Sequence, residues 1–83
     1  MYFVYIVYSK KLDKYYTGSS DDLVKRLQQH NWKRSPSTKA GVPWEFVYSE
    51  KFPTRSEAIK REYEIKRKKS RKYIEFLINP SDD

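Results

Sequence analysis

The first nine residues, Met1 to Ser9 (MYFVYIVYS), are apolar on both alternate sets: Phe3, Tyr5 and Val7 on one side, Val4, Ile6 and Tyr8 on the other. β-Branched and aromatic residues at this density predict a strand. A strand apolar on both faces is expected to be central and covered on both sides. Lys10 to Lys14 reads as a polar turn, and Tyr15-Tyr16-Thr17 as a returning strand that Gly18 ends, which predicts an antiparallel hairpin. Ser19-Ser20-Asp21-Asp22 offers caps for a helix running to about Asn31 or Trp32, with Leu23, Val24 and Leu27 as its apolar stripe. Lys33 to Pro43 reads as an exposed basic loop, and Trp44 to Phe52 as a third strand. Thr54, followed three residues later by Glu57, is a capping box that opens a second helix. Ser70 caps a third helix, Arg71 to Ile78, stopped by Pro80. The order β-β-α-β-α-α predicts an α/β fold of the α+β kind: a small three-stranded, mainly antiparallel sheet flanked by helices. Residues 1–79 are expected to form the single domain and 80–83 a C-terminal tail.

With 83 residues, the chain has room for one small domain. Such a domain hides only ~60% of its unfolded surface, so its core needs large side chains. The 17% aromatic content supplies them. Lys and Arg outnumber Asp and Glu by 18 to 11, and the net charge of +7 favours polyanionic partners. The chain has no cysteine and one histidine, which excludes disulfides, thiolate metal sites and multi-histidine zinc sites. A metal would need oxygen ligands, which points to Mg²⁺ or Mn²⁺. No apolar run approaches the ~20 residues of a membrane span, and no basic-then-apolar leader opens the chain. The expected setting is therefore cytoplasmic, without a membrane partner.

Glu62 is the most telling single residue. At ~100° per residue, Ala58, Ile59 and Ile65 define one helix face, and Glu62 projects near its middle. A carboxylate taken out of water costs several kcal/mol unless paired or metal-bound, so Glu62 has either a cationic neighbour or a cleft. Arg26 and His30, four residues apart, flank the first helix's stripe. Arg26 suits bidentate phosphate contact, but a solvated Arg and a boundary His fit the same pattern. Tyr5 and Tyr16 fit core packing, and also fit a phenol that orients water. The cations at Lys60-Arg61, Lys66 to Lys69 and Arg71-Lys72 describe a solvated helical face, or a surface that grips phosphates while Tyr63, Tyr73 and Phe76 stack bases.

Taken together, these residues resemble the GIY-YIG nuclease domain. The first motif appears as Phe3-Val4-Tyr5 and the second as Tyr16-Thr17-Gly18. Asp22 to Leu27 is similar to the helix that carries the family's catalytic arginine, with His30 one turn on. Glu57 to Glu62 is similar to the helix bearing its metal-binding glutamate. The likeness spans nearly the whole chain and is nearest to short stand-alone bacterial members. It implies a GIY-YIG endonuclease-like fold and a hydrolase acting on phosphodiester bonds. Tyr5 and Tyr16 would lie by the scissile phosphate, one of them activating or orienting water. Arg26 would stabilise the phosphoryl oxygens, and His30 would be an alternative base or phosphate contact. Gly18 would allow close approach of the chain. Glu62 would hold a single Mg²⁺ or Mn²⁺. Ser19 stands where several relatives carry a lysine. Asn79 is the one asparagine after Glu62, where some relatives use that residue.

The nucleic acid, DNA or RNA, is expected to meet Lys33, Arg34, Lys39, Lys66 and Lys69, with a protein partner as another source of targeting. Against the endonuclease stand two other readings. One is a nucleic-acid-binding module that keeps the fold but has weak or lost catalysis. The other is an accessory protein whose basic surface only keeps it soluble.

Overall fold

The computed structural model describes residues 1–31 and 39–80. Three strands and three helices follow the expected order: β1 (Tyr2–Ser9), β2 (Lys14–Ser20), α1 (Leu23–Asn31), β3 (Trp44–Phe52), α2 (Arg55–Lys68) and α3 (Arg71–Ile78), with a 3-10 turn at Lys39–Gly41 before β3. The sheet order is β2-β1-β3, so the doubly apolar strand is the central one, antiparallel to both neighbours. Val4, Tyr5, Ile6 and Val7 are all completely buried, which explains why neither alternate set could be polar.

The pleat sorts these residues into two cores. Tyr5, Val7 and Trp44 pack with Tyr16, Leu23, Leu27, Val42 and Phe46 on the α1 side. Val4, Ala58 and Ile65 pack with Tyr2, Phe52, Tyr73, Ile74 and Leu77 on the α2–α3 side. Residues directly opposed across an antiparallel pair share a face. Tyr16 opposite Val7 and Gly18 opposite Tyr5 therefore belong to the α1 side, whereas Ser19 opposite Val4 belongs to the α2 side. On β3, an irregularity between the partners of Ile6 and Val7 brings Phe46 opposite Val7, and its ring meets that of Tyr5 edge-on.

The caps form as the side chains dictate. Thr54 Oγ1 accepts from the Glu57 amide, and the Ser70 side chain accepts from the Tyr73 amide. For α1 the cap is Asp22, whose carboxylate accepts from the Lys25 amide at 3.0 Å. Arg61 pins α2 to its neighbours: its Nε donates to both oxygens of Glu50 on β3, and its Nη1 to Glu64 and the Tyr73 hydroxyl.

Two local expectations differ. Gly18 does not end β2, which pairs on to Ser20, because the missing side chain leaves the ladder intact and serves a packing need across the strand. Val24 is not part of the buried stripe; it is 68% exposed, whereas Leu23 and Leu27 pack on the core and His30 is buried. Lys33 and Arg34, most of the basic loop, Trp32 and residues 81–83 of the tail lie outside the described residues, as does the side chain of Lys39. No helix among the described residues is long and apolar enough to cross a membrane.

Candidate active site

Four of the five residues singled out for chemistry meet on the α1 side of the sheet. β1 supplies Tyr5, β2 supplies Tyr16, and α1 supplies Arg26 and His30 one turn apart. The Tyr5 hydroxyl lies 3.0 Å from His30 Nε2 and accepts from Arg26 Nε at 3.2 Å. Both polar atoms are satisfied when the phenol O–H donates its hydrogen bond to Nε2, which places the imidazole proton on Nδ1. Arg26 Nη1 donates to Gln29 Oε1 one turn along the same helix. The Tyr16 ring meets the His30 ring edge-on at 5.1 Å and the Trp44 ring at 6.3 Å.

Gly18 makes this packing possible. A Cβ at Gly18 would come 2.5 Å from the Tyr5 hydroxyl oxygen and 2.7 Å from the ring carbon that carries it. The glycine is needed for close approach, not for an unusual backbone angle.

Burial separates the roles of the two tyrosines. Tyr5 is fully buried and His30 almost so, whereas Tyr16 and Arg26 are half-buried and reach the surface. Burial raises the Tyr5 phenol above its ordinary pKa, although the Arg26 hydrogen bond and charge oppose that. Tyr5 thus stays protonated at neutral pH and donates rather than acts as a base. Burial, helped by the nearby Arg26 charge, lowers His30, so its imidazole is neutral. The hydrogen bond to Tyr5 holds Arg26 even more firmly cationic, with Tyr16 also contributing. The outcome is a fixed cation at the surface, backed by a sealed Tyr5–His30 pair and flanked by an accessible phenol.

Glu62 stands apart from that group. It approaches from the α2 side, where its Oε1 accepts from Ser19 Oγ at 2.6 Å and its Oε2 from Lys66 Nζ at 2.5 Å. Its side chain is only 15% exposed, so it is a largely desolvated carboxylate with an intramolecular cation in place. The link to the other face is electrostatic: the Glu62 charge contributes to raising Tyr5. A hollow along the exposed edge of β2 is lined by Tyr16, Thr17, Ile65, Lys66, Lys69 and Arg71 among others. Ser19, noted in the sequence only as a departure from relatives, proves to be the residue that holds Glu62. Asn31 is another that sequence reasoning missed. Its side-chain amide exchanges two hydrogen bonds with the Trp44 backbone and ties the end of α1 to the start of β3.

Glu62 and Ser19 are hard oxygen donors on adjacent elements, a set that suits a divalent cation of the Mg²⁺ type completed by water and phosphate oxygens. No cluster of three or more His, Cys, Asp or Glu exists among the described residues, so a dedicated all-protein cage is not available there. Of the expected polyanion contacts, Lys66 and Lys69 line the β2-edge hollow.

Similarity to known proteins extends over most of the chain. The family model described as the GIY-YIG catalytic domain matches residues 1–74. A UPF0213 protein of Staphylococcus saprophyticus is 40% identical over 77 residues, covering 92% of this chain and 93% of that protein. The UPF0213 protein YazA of Bacillus subtilis is 40% identical over 85 residues, covering 98% of this chain and 85% of its own. A solution NMR structure of a UPF0213 protein from Bacillus halodurans superposes with a TM-score of 0.57 at 29% identity, covering 96% of this chain and 89% of that one.

Proposed function

The chain belongs to the GIY-YIG catalytic domain family, and from that premise we propose that it is a metal-dependent endonuclease that hydrolyses phosphodiester bonds in DNA or RNA. The observation that carries this reading is the Arg26 guanidinium, held at the surface by the buried Tyr5 hydroxyl and bordered by Tyr16. A fixed, partly desolvated cation stabilises negative charge that develops on phosphoryl oxygens, and its preorganisation avoids reorienting solvent during the reaction.

In this mechanism Arg26 contacts the phosphoryl oxygens of the scissile group. Tyr16, the reachable phenol, orients the attacking water. Tyr5 is a positioning residue: it fixes Arg26 and is itself held by His30. Gly18 gives Tyr5 its place. Glu62 and Ser19 would hold Mg²⁺ or Mn²⁺, which when bound polarises the phosphate and eases departure of the leaving oxygen. Lys66 and Lys69, with Lys33, Arg34 and Lys39 from the basic loop, supply the sequence-independent grip on the backbone.

The test is cleavage of supercoiled plasmid, single-stranded DNA and RNA with Mg²⁺, Mn²⁺ or EDTA, beside Glu62→Ala and Arg26→Ala. Metal-dependent cleavage by the intact chain that both variants lose is the expected result. Cleavage that survives Glu62→Ala or chelator overturns the mechanism. A second reading, nucleic-acid binding with catalysis weak or lost, draws its support from the Lys66 ammonium on Glu62. It predicts binding without cleavage by the intact chain.

A further inference from the structure

Each carboxylate oxygen of Glu62 accepts a hydrogen bond, one from Ser19 and the other from Lys66. The two contacts differ in kind. Ser19 is a neutral hydroxyl that can turn to leave Oε1 open, and it is itself a hard oxygen donor. Lys66 is a full positive charge at 2.5 Å, one helical turn along α2 from Glu62, in the i,i+4 geometry that brings such pairs together. A divalent cation and an ammonium on one carboxylate repel each other, and a partly desolvated site screens that repulsion little. It subtracts from what Glu62 returns to the metal, through Oε1 as well as Oε2. Divalent binding to Glu62 is therefore weaker while Lys66 stays and gains when it leaves.

Lys66 is free to leave. Its side chain is 46% exposed, against 15% for Glu62, and Glu62 is the one carboxylate it pairs with among the described residues. It also lines the β2-edge hollow together with Lys14, Lys69 and Arg71. Nothing covalent or sterically buried traps it on the glutamate.

Resting on the reading of Glu62 as the metal-binding carboxylate, we propose that Lys66 is a built-in competitor for the metal position, a resident cation that weakens divalent binding until its ammonium is drawn elsewhere. The same side chain that satisfies Glu62 without metal then sets the concentration of metal the site needs.

The experiment is equilibrium Mn²⁺ binding to the full chain without nucleic acid, read from the electron paramagnetic resonance signal of free aqueous Mn²⁺. Intact protein, Lys66→Met, Lys66→Arg, Glu62→Gln and the Lys66→Met/Glu62→Gln double variant are compared, each checked for native circular dichroism. Methionine keeps an unbranched stem and removes the charge together with its hydrogen-bond donors. The expected outcome is Mn²⁺ binding about three- to tenfold tighter for Lys66→Met, near the intact value for Lys66→Arg, and no gain in the double variant. Equal affinity for intact protein and Lys66→Met, with Glu62→Gln weaker than both, overturns the competitor role and leaves Glu62 as a ligand. Mn²⁺ binding that ignores Glu62→Gln in every background overturns both.

Discussion

Gly18 lies directly across the β1–β2 pair from Tyr5, and the Tyr5 phenol occupies the space that any side chain at Gly18 would need. The second motif of the site therefore serves the first by what it lacks. Gly18→Ala must push Tyr5 aside or distort an edge strand, an overpacking cost of about 1–3 kcal/mol. Urea unfolding should show that loss, together with a fall in cleavage rate larger than the fraction unfolded explains. In a double-mutant cycle with Tyr5→Leu the two stability losses should be non-additive, because the shorter side chain vacates the same space. Additive losses would mean that Gly18 acts on something other than Tyr5.

Tyr5→Phe removes the oxygen that Arg26 Nε donates to and leaves His30 Nε2 without that partner. An unsatisfied buried group costs about 1–3 kcal/mol, so the variant should be destabilised although its volume hardly changes. If Tyr5 positions rather than reacts, kcat should drop with little change in KM, and the pH profile should keep its shape. Tyr16→Phe, by contrast, should lower kcat with almost no cost in stability, since Tyr16 is half-exposed.

The histidine gives the fold a pH dependence of definite sign. Burial lowers the folded-state pKa of His30 below its unfolded value of about 6.5. The unfolded chain consequently binds the proton more readily, and stability falls as pH drops below the unfolded value toward the folded one. Above about pH 7 the residue contributes no slope. Denaturation midpoints measured from pH 8 down to pH 5 should decline for the intact chain, and His30→Gln should remove that part of the decline. A His30→Gln profile as steep as the original would place the acid sensitivity in the carboxylates.

The arrangement of elements was legible because each rests on a local signal that tertiary contacts reinforce. The doubly apolar β1 became the middle strand, and Thr54 and Ser70 capped their helices. Site membership was only half legible. The spacing of Arg26 and His30 announces a shared helix face, yet nothing in it says that the face closes over Tyr5 and buries His30 almost completely. Glu62 stood out as a carboxylate on an apolar face, and of the two readings left open for it the structure shows the cationic partner, Lys66. The Ser19 contact joins residues 43 apart through strand register, which no linear spacing reveals. Gly18 read as a strand end because glycine usually interrupts a ladder; here its lack of a side chain was the point.

Arg61 offers a stability test away from the chemistry. It is partly buried, and burial works against its charge, but Tyr73 and Glu50 more than offset this and hold it cationic. Removing it in Arg61→Met leaves Glu50, among the described residues, with the Tyr48 hydroxyl and frees the link between α2 and α3. A loss of about 1–3 kcal/mol is expected after allowing for partial exposure. The companion Glu50→Gln should cost less, because Arg61 retains Glu64 and Tyr73. Equal losses would show that the Arg61–Glu50 pair carries the whole effect.

Lys69 closes α2 in the left-handed conformation, φ 48° and ψ 38°, with its amide donating to the Lys66 carbonyl. That position favours glycine, and a side chain there costs roughly 1–2 kcal/mol. The strain is tolerated at a residue that lines the β2-edge hollow with Lys14, Lys66 and Arg71. If the cation is kept for a polyanion, Lys69→Gly should move stability and binding in opposite directions. Unfolding should become harder by about 1 kcal/mol as the backbone strain is released. Nucleic-acid affinity should weaken, and the slope of log affinity against log salt should become shallower by about 0.7 for a single strand or 0.9 for a duplex, one counterion's worth. Lys69→Asn, which tolerates the left-handed region without a charge, should reproduce the binding loss with a smaller gain in stability. A Lys69→Gly variant that binds with unchanged affinity and slope would leave the lysine as an unfavourable helix cap with no electrostatic role.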